Sequence, residues 1–295
     1  MKIVECVPNF SEGRRKDVIE RIIDAVRGVE GVKVLDYSSD ASHNRTVLTF
    51  VGEPMAVKEA AFRAAEKAAE LIDMEQHQGE HPRIGATDVI PLIPISGVSM
   101  EECVELARDL GRDIGEKLGI PVYLYEEAAT LPERKNLAHV RRGEYEGLKE
   151  AIKTPERQPD FGPAQMHPRA GAVAVGARPP LVAYNINLDT DKVEIAKAIA
   201  RTIRGSSGGY PSIKALGVLI EETGKAQVTI NVCNYKEVSL ARVFETVKIE
   251  AERYGVNITG SEIVGLVPME ALLDAAAFYL RLEGFQLDQV LEKRL

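Results

Sequence analysis

The densest grouping of titratable side chains in this 295-residue sequence is Glu75-Gln76-His77-Gln78-Gly79-Glu80-His81-Pro82-Arg83. Imidazole is the side chain best suited to take a proton in one step and return it in the next, because its ordinary pKa is about 6.5. His77 and His81 are four apart, the spacing at which two imidazoles on a helix share a metal ion. Gly79 and Pro82 interrupt any helix here, and His-Glu-x-x-His is not matched, which weakens a zinc-hydrolase reading. A solvated loop histidine is the plainer alternative.

A second polar grouping is Asp36-Tyr37-Ser38-Ser39-Asp40-Ala41-Ser42-His43-Asn44-Arg45. It reads either as acid–base machinery or as a turn rich in Asp, Ser and Asn. A third is Pro159-Asp160-Phe161-Gly162-Pro163-Ala164-Gln165-Met166-His167-Pro168-Arg169-Ala170-Gly171, where Gly and Pro hold backbone close to a ligand or to other chain. Its His167-Pro168-Arg169-x-Gly171-Ala172 echoes His81-Pro82-Arg83-x-Gly85-Ala86. Arg45, Arg83, Arg169 and Arg178 accompany these groups. A guanidinium is a planar fork matched to carboxylate, so the set suits a substrate with more than one carboxylate, or else ordinary salt bridges.

Stepping through the elements that must carry these residues, the second half is the clearer. Strand-like residues 181–188 precede a helix with Val193, Ala196, Ile199, Ala200 and Ile203 at helical spacing. Residues 213–220 and 227–232 read as a hairpin about Gly224, followed by a second helix and a last strand at 256–267. A terminal helix after Pro268 is expected to be core. The first half repeats the order, with an added helix capped by Ser99 and Glu102 and an added strand at 121–125. Val4 and Asn9 precede its first helix as Val182 and Asn187 precede that of the second half. The expectation is an α+β protein of two duplicated, ferredoxin-like β-α-β-β-α-β sandwich subdomains, residues 1–178 and 179–295. Residues 154–180, with six of the fifteen prolines, read as a connector and hinge.

There are 37 basic and 45 acidic residues, a net charge of −8, with 45% hydrophobic and 28% charged residues. That is a globular composition, and an acidic one disfavours nucleic acid as a partner. Three scattered cysteines argue against a disulfide framework, and Cys6 reads as a small packed hydrophobe. No leader or membrane span is read, so a cytoplasmic protein is expected.

Val4-Glu5-Cys6-Val7-Pro8-Asn9-Phe10-Ser11-Glu12-Gly13 resembles the opening of the glutamate formiminotransferase family. So do Asn44-Arg45-Thr46-Val47, Gly79-Glu80-His81-Pro82-Arg83-x-Gly85-Ala86-x-Asp88-Val89, Arg142-Gly143-Glu144-Tyr145-Glu146, Gly176-Ala177-Arg178 and Asn185-Ile186-Asn187-Leu188. The resemblance implies transfer of the formimino group of N-formimino-L-glutamate to N5 of tetrahydrofolate, a co-substrate, in histidine degradation. It implies His81 as general base and acid, assisted by Asp36 or Asp40, because Ser38 stands where the family's second acid is usual. It implies a folate loop at Gly162 to Gly171 with Arg178, and a homodimer. Asn9, Asn44, Arg45, Arg83 and Asn187 are the expected substrate-binding residues. No metal is expected. Attack on an amidine carbon needs one group to accept a proton and one to supply it to the leaving amine, and a single imidazole serves both. The alternatives are formyl transfer from N-formylglutamate, a glycine formiminotransferase, a metal-dependent hydrolase using His77, Glu80 and His81, and a folate-binding module without turnover.

Overall fold

The computed structural model describes residues 1–294. The chain divides into two compact units, Met1–Arg178 and Pro179–Leu295. The first unit runs β1 (Ile3–Cys6), β2 (Asn9–Phe10), α1 (Lys16–Arg27), β3 (Val32–Asp40), β4 (Arg45–Gly52) and α2 (Pro54–Leu71). It continues with β5 (Thr87–Ser96), α3 (Met100–Leu118), β6 (Val122–Glu126), α4 (Leu137–Val140), α5 (Glu144–Ala151) and β7 (Val173–Ala177). β1 and β2 are one strand line broken at Pro8, which has no N–H for the ladder but accepts from Leu48 N at 3.1 Å. That line lies between β4 and β5, and β3 pairs with the far side of β4, all antiparallel. On the other side of β5 the sheet continues with β7 and then β6, both parallel.

Sequence pattern accounts for the helical layer. Val18, Ile19, Ile22, Ile23 and Val26 recur at helical spacing and are the buried face of α1. A Ser99–Glu102 capping box starts α3. These helices share one core with Val4, Cys6, Leu48, Phe50, Ile90 and Leu92 of the sheet. Cys6 is fully buried there, and burial pushes its thiol well above the ordinary range, as the packing reading requires. A second cluster joins Val140, Leu148 and Ile152, in or just after α4 and α5, to Val89, Tyr123, Tyr125 and Ala174 on the opposite side of the sheet.

The second unit runs β8 (Val182–Leu188), α6 (Val193–Ile203), β9 (Ile213–Ile220), β10 (Lys225–Val232), α7 (Leu240–Arg253), β11 (Ile258–Val264) and α8 (Met269–Leu280). Its sheet order is β11-β8-β10-β9. The same order recurs in the first unit as β5, β1/β2, β4, β3. Both halves therefore share one plan of α+β architecture, and the first adds a parallel extension.

Three expectations need correction. The polar stretch from Asp36 is not a loop: β3 runs to Asp40, leaving a short hairpin turn before Arg45. Residues 154–180 are not all connector: those up to Arg178 belong to the first unit, where β7 is fully buried in the sheet between β5 and β6. An unbroken polar run after Tyr37, with no alternation to mark a strand, hid the first, and proline count outweighed the apolar run Ala172–Ala177 in the second. The apolar helix α8 is not core either: Ala271 is its buried residue, while Leu272, Phe278 and Leu280 are exposed.

Candidate active site

Leu48 and Phe50 of β4 point to the helical core, so Arg45, Val47, Thr49 and Val51 point to the other face. Cross-strand neighbours share a face. Asp36, Ser38 and Asp40 lie opposite Thr49, Val47 and Arg45, while Asn9 and Glu5 lie opposite Val47 and Val51. The β3–β4 side of this face is thus lined by short polar and charged groups.

The histidine-bearing segment is stapled to the β3–β4 turn. Asn44, at φ 48, accepts from Gly13 N at 2.9 Å and donates to Gln78 O at 2.9 Å. Glu80 N donates to Ser42 O at 3.2 Å. His77 Nε2 donates to Asn44 O at 3.0 Å, and its Nδ1 accepts from Arg83 Nε at 3.1 Å. Arg83 has five N–H donors. The others reach Glu146 at 2.8 and 2.7 Å, Glu144 at 3.3 Å and His77 O at 3.3 Å. Asn44 and Arg83 are therefore committed to internal partners that hold this segment in place. His77 has both nitrogens engaged, so a metal site using it would have to break this network. Arg83→Met is expected to cost about 1–3 kcal/mol, the penalty for leaving buried acceptors such as His77 Nδ1 unpaired, read as a lowered thermal midpoint.

His81 is placed differently. Its Nδ1 lies 3.3 Å from Arg45 Nη1, and its Nε2 lies 3.6 Å from Asp88 Oδ2. Burial, together with Arg45 and Arg141, lowers its pKa below the ordinary imidazole value, while Asp88 pulls the other way. Arg45 is also lowered by burial and by Arg141. Asp88 is 1% exposed. Its Oδ1 accepts from Ile84 N at 3.0 Å, and its Oδ2 accepts from Arg141 Nη2. Burial would raise its pKa, but Arg141 and His81 outweigh it and hold the carboxyl below the usual range. Asp88 owes its position to a β-bulge: Asn9 pairs with Val89 and Phe10 with Thr87, so Asp88 is the extra residue.

The acid beside His81 is thus Asp88, not Asp36 or Asp40. Asp36 is exposed on β3, and Asp40 accepts from His43 N at 2.6 Å, which lowers its pKa. Both lie on the Arg45 face without a hydrogen bond to His81 among the described residues. Asp88 and Arg141 were missed, although an acid heading the apolar run Val89–Leu92 was a signal: such a carboxylate is costly to bury unless paired.

The segment holding Gly162 to Gly171 starts on α3 and ends against the chain that carries His81. Phe161 and Gly162 lie on α3, where Cβ atoms at Gly111 and Gly115 would meet them at 3.2 and 2.6 Å. Asp160 anchors the start through Leu124 N at 2.8 Å and Arg134 Nη1 at 2.6 Å. Gly162, Pro163, Ala164 and Gln165 are exposed. Beyond Met166, His167 Nδ1 accepts from Arg169 N at 3.2 Å and Ala170 N at 2.9 Å, so this histidine closes its own turn. Pro168 and Arg169 are exposed, and Arg169 O accepts from Met74 N at 2.8 Å. Ala170 O accepts from Ala86 N at 2.8 Å, and Ala172 N donates to Ile84 O at 3.0 Å. The echo between the two His-Pro-Arg segments has a structural meaning, since Gly85 and Gly171 face each other across an antiparallel bridge. Arg178 ends the unit beside Glu5, its N donating to Leu92 O at 3.1 Å. Asn9 donates to Val7 O at 3.2 Å. Asn187 belongs to the second unit, where it accepts from Gln227 at 2.8 Å.

Chemically, the first unit offers one imidazole backed by a buried carboxylate, a guanidinium beside it, and an exposed glycine-proline loop anchored to the same segment. Residues 3–178 match the family described as "Formiminotransferase domain, N-terminal subdomain", and residues 183–293 match "Formiminotransferase domain". The chain is 52% identical to glutamate formimidoyltransferase of Streptococcus pyogenes serotype M1 over 100% of its length and 99% of that protein. It is 50% identical to glutamate formimidoyltransferase of Thermoplasma acidophilum, over 100% of its length and 98% of that protein. Its identity to the formimidoyltransferase-cyclodeaminase of Mus musculus is 48%, over 94% of this chain and 52% of that protein.

Proposed function

Because this chain belongs to the formiminotransferase family, we propose that it acts as a glutamate formimidoyltransferase, moving the formimino group of N-formimino-L-glutamate to N5 of tetrahydrofolate. The observation that carries this reading is His81, an imidazole held neutral near pH 7 by burial and by two guanidinium groups, with a carboxylate at its back. Tetrahydrofolate supplies the nucleophilic nitrogen. His81 accepts the proton released there and returns it to the amine of glutamate as that amine departs. Arg45 lies at the same imidazole, half-buried on the polar face of the sheet, suited to a substrate carboxylate. The exposed Gly162–Gln165 arc, with Gly162 at φ 81, is the part of the chain suited to hold the pterin or its glutamate tail. Much of the rate comes from holding two substrates in register rather than from covalent chemistry.

The reading extends to a homodimer in the cytoplasm working in histidine degradation. The exposed apolar side chains of α8 support a second copy as partner. Among the described residues no helix is long and apolar enough to cross a membrane.

The test is a donor panel with tetrahydrofolate and purified protein. N-formimino-L-glutamate is expected to give 5-formimino-tetrahydrofolate faster than N-formylglutamate or N-formiminoglycine yields its product; a faster rate with either of these overturns the donor assignment. The pH profile of kcat/KM carries a second expectation. The base works as neutral imidazole and its pKa is depressed, so the acid limb falls below 6.5 rather than above it.

A further inference from the structure

We propose that Asp88 and Arg141 are a positioning pair for His81: Asp88 receives the Nε2–H, which leaves Nδ1 as the nitrogen that exchanges protons with the substrates, and Arg141 holds Asp88 in place. This rests on the reading of His81 as the proton carrier and assigns the partners and the working nitrogen.

Three observations carry it. First, Nε2 is buried and has no hydrogen-bond partner within range, and Asp88 Oδ2 lies 3.6 Å from it. A nitrogen enclosed in this way does not reach a substrate. Second, Nδ1 faces Arg45 Nη1 at 3.3 Å. A guanidinium only donates, so Nδ1 presents its lone pair and the neutral ring carries its proton on Nε2. Third, Asp88 is immobilised from both oxygens, by Ile84 N at 3.0 Å and by Arg141. The main chain of Arg141 is itself fixed: its N donates to Leu137 O at 2.9 Å, and its carbonyl accepts at 2.7 Å from the N–H of Glu144, a non-glycine residue at φ 55. A left-handed backbone at such a residue persists where its surroundings over-determine it.

The proton balance follows. When Arg45 turns from Nδ1 to a substrate carboxylate, the freed lone pair takes the proton released by the attacking amine, and the ring becomes imidazolium beside ionised Asp88. Nδ1 then gives that proton to the departing amine, and the Nε2–H is retained throughout. The charged groups facing the ring are Arg45 from β4, Asp88 from β5 and Arg141 after α4. Arg141 offsets the charge of Asp88, which keeps the ring from staying protonated.

Asp88→Asn is expected to lower kcat about a hundredfold, with KM for both substrates within about twofold. It removes the counter-charge, so the acid limb of the pH profile moves to lower pH. Arg141→Gln is expected to move that limb to higher pH, and Arg141→Lys to restore it toward wild type. A purely structural role predicts no opposed shifts. Where either variant fails to fold, nitrogen NMR of wild-type imidazole decides: the neutral His81 ring is expected to carry its proton on Nε2. A ring protonated on Nδ1, a loss confined to KM, or limbs that move the same way overturns the proposal. The NMR result needs no substrate, so failure of the transferase reading is seen separately, as absence of transfer in the donor panel.

Discussion

His81→Ala is expected to reduce single-turnover formimino transfer about a thousandfold, the range a lone general acid–base contributes. KM for both substrates should change little, because the imidazole handles protons rather than holding carboxylates. The substitution should be tolerated structurally. The side chain is 12% exposed, and on its loss Asp88 keeps its ion pair with Arg141. A far-UV spectrum and thermal midpoint near wild type would confirm that. Transfer within tenfold of wild type would mean that the proton moves by another route. Comparison with Asp88→Asn then separates the two roles: loss of the ring removes the carrier, while loss of the carboxylate leaves a carrier with the wrong proton distribution.

Much of this site was legible in the sequence, and the limits have physical causes. His81 stands in a motif-bearing run, and the β-α-β-β-α-β order followed from apolar spacing such as Val18, Ile22 and Val26 on α1. What sequence reasoning could not see is which charges pair. Arg83 and Arg45 look alike on the page, yet Arg83 is spent on Glu146 and His77, while Arg45 meets His81. That difference is set by residues far along the chain, Glu146 and Arg141, which α4 and α5 bring over the sheet. The partner of His81 was likewise hidden, because Asp88 reaches it through a one-residue bulge that no period-2 pattern reveals. Asp36 and Asp40 were credible by position along the chain, but the hairpin presents them on a strand, away from a hydrogen bond to the ring. The broken first strand had the same character: Pro8 reads as an end, yet the ladder resumes at Asn9 because its neighbours supply the missing partners.

The other large effect is expected from a glycine. At Gly85 an added Cβ would lie 2.0 Å from Ala172 O, 2.5 Å from Ala170 O and 2.9 Å from Ala172 N. All three are backbone atoms, so no side chain can rotate away. The opposing Gly171, at φ 72, would place its own Cβ 2.5 Å from Ile84 O. The two segments touch main chain to main chain, bonded by Ala86 N to Ala170 O at 2.8 Å and by Ala172 N to Ile84 O at 3.0 Å. Gly85→Ala must therefore part them by roughly an ångström and weaken both bonds. Overpacking of this kind costs about 3 kcal/mol. For a chain of this size that lowers the thermal midpoint by roughly 5 °C. The consequence for activity follows from what the contact joins. His81 precedes Gly85 on one side, and the Gly162–Gly171 segment ends at the other. Parting them separates the proton carrier from the loop proposed for folate, so KM for tetrahydrofolate should rise at least about tenfold, with a smaller change for the donor. Gly147→Ala is the matched control: a helical glycine in α5 whose Cβ meets nothing within 4 Å, where alanine is expected to be neutral or stabilising by about 0.4–1 kcal/mol. A Gly85→Ala protein that melts with wild type and binds tetrahydrofolate normally would mean that this backbone contact does not couple the two halves of the site.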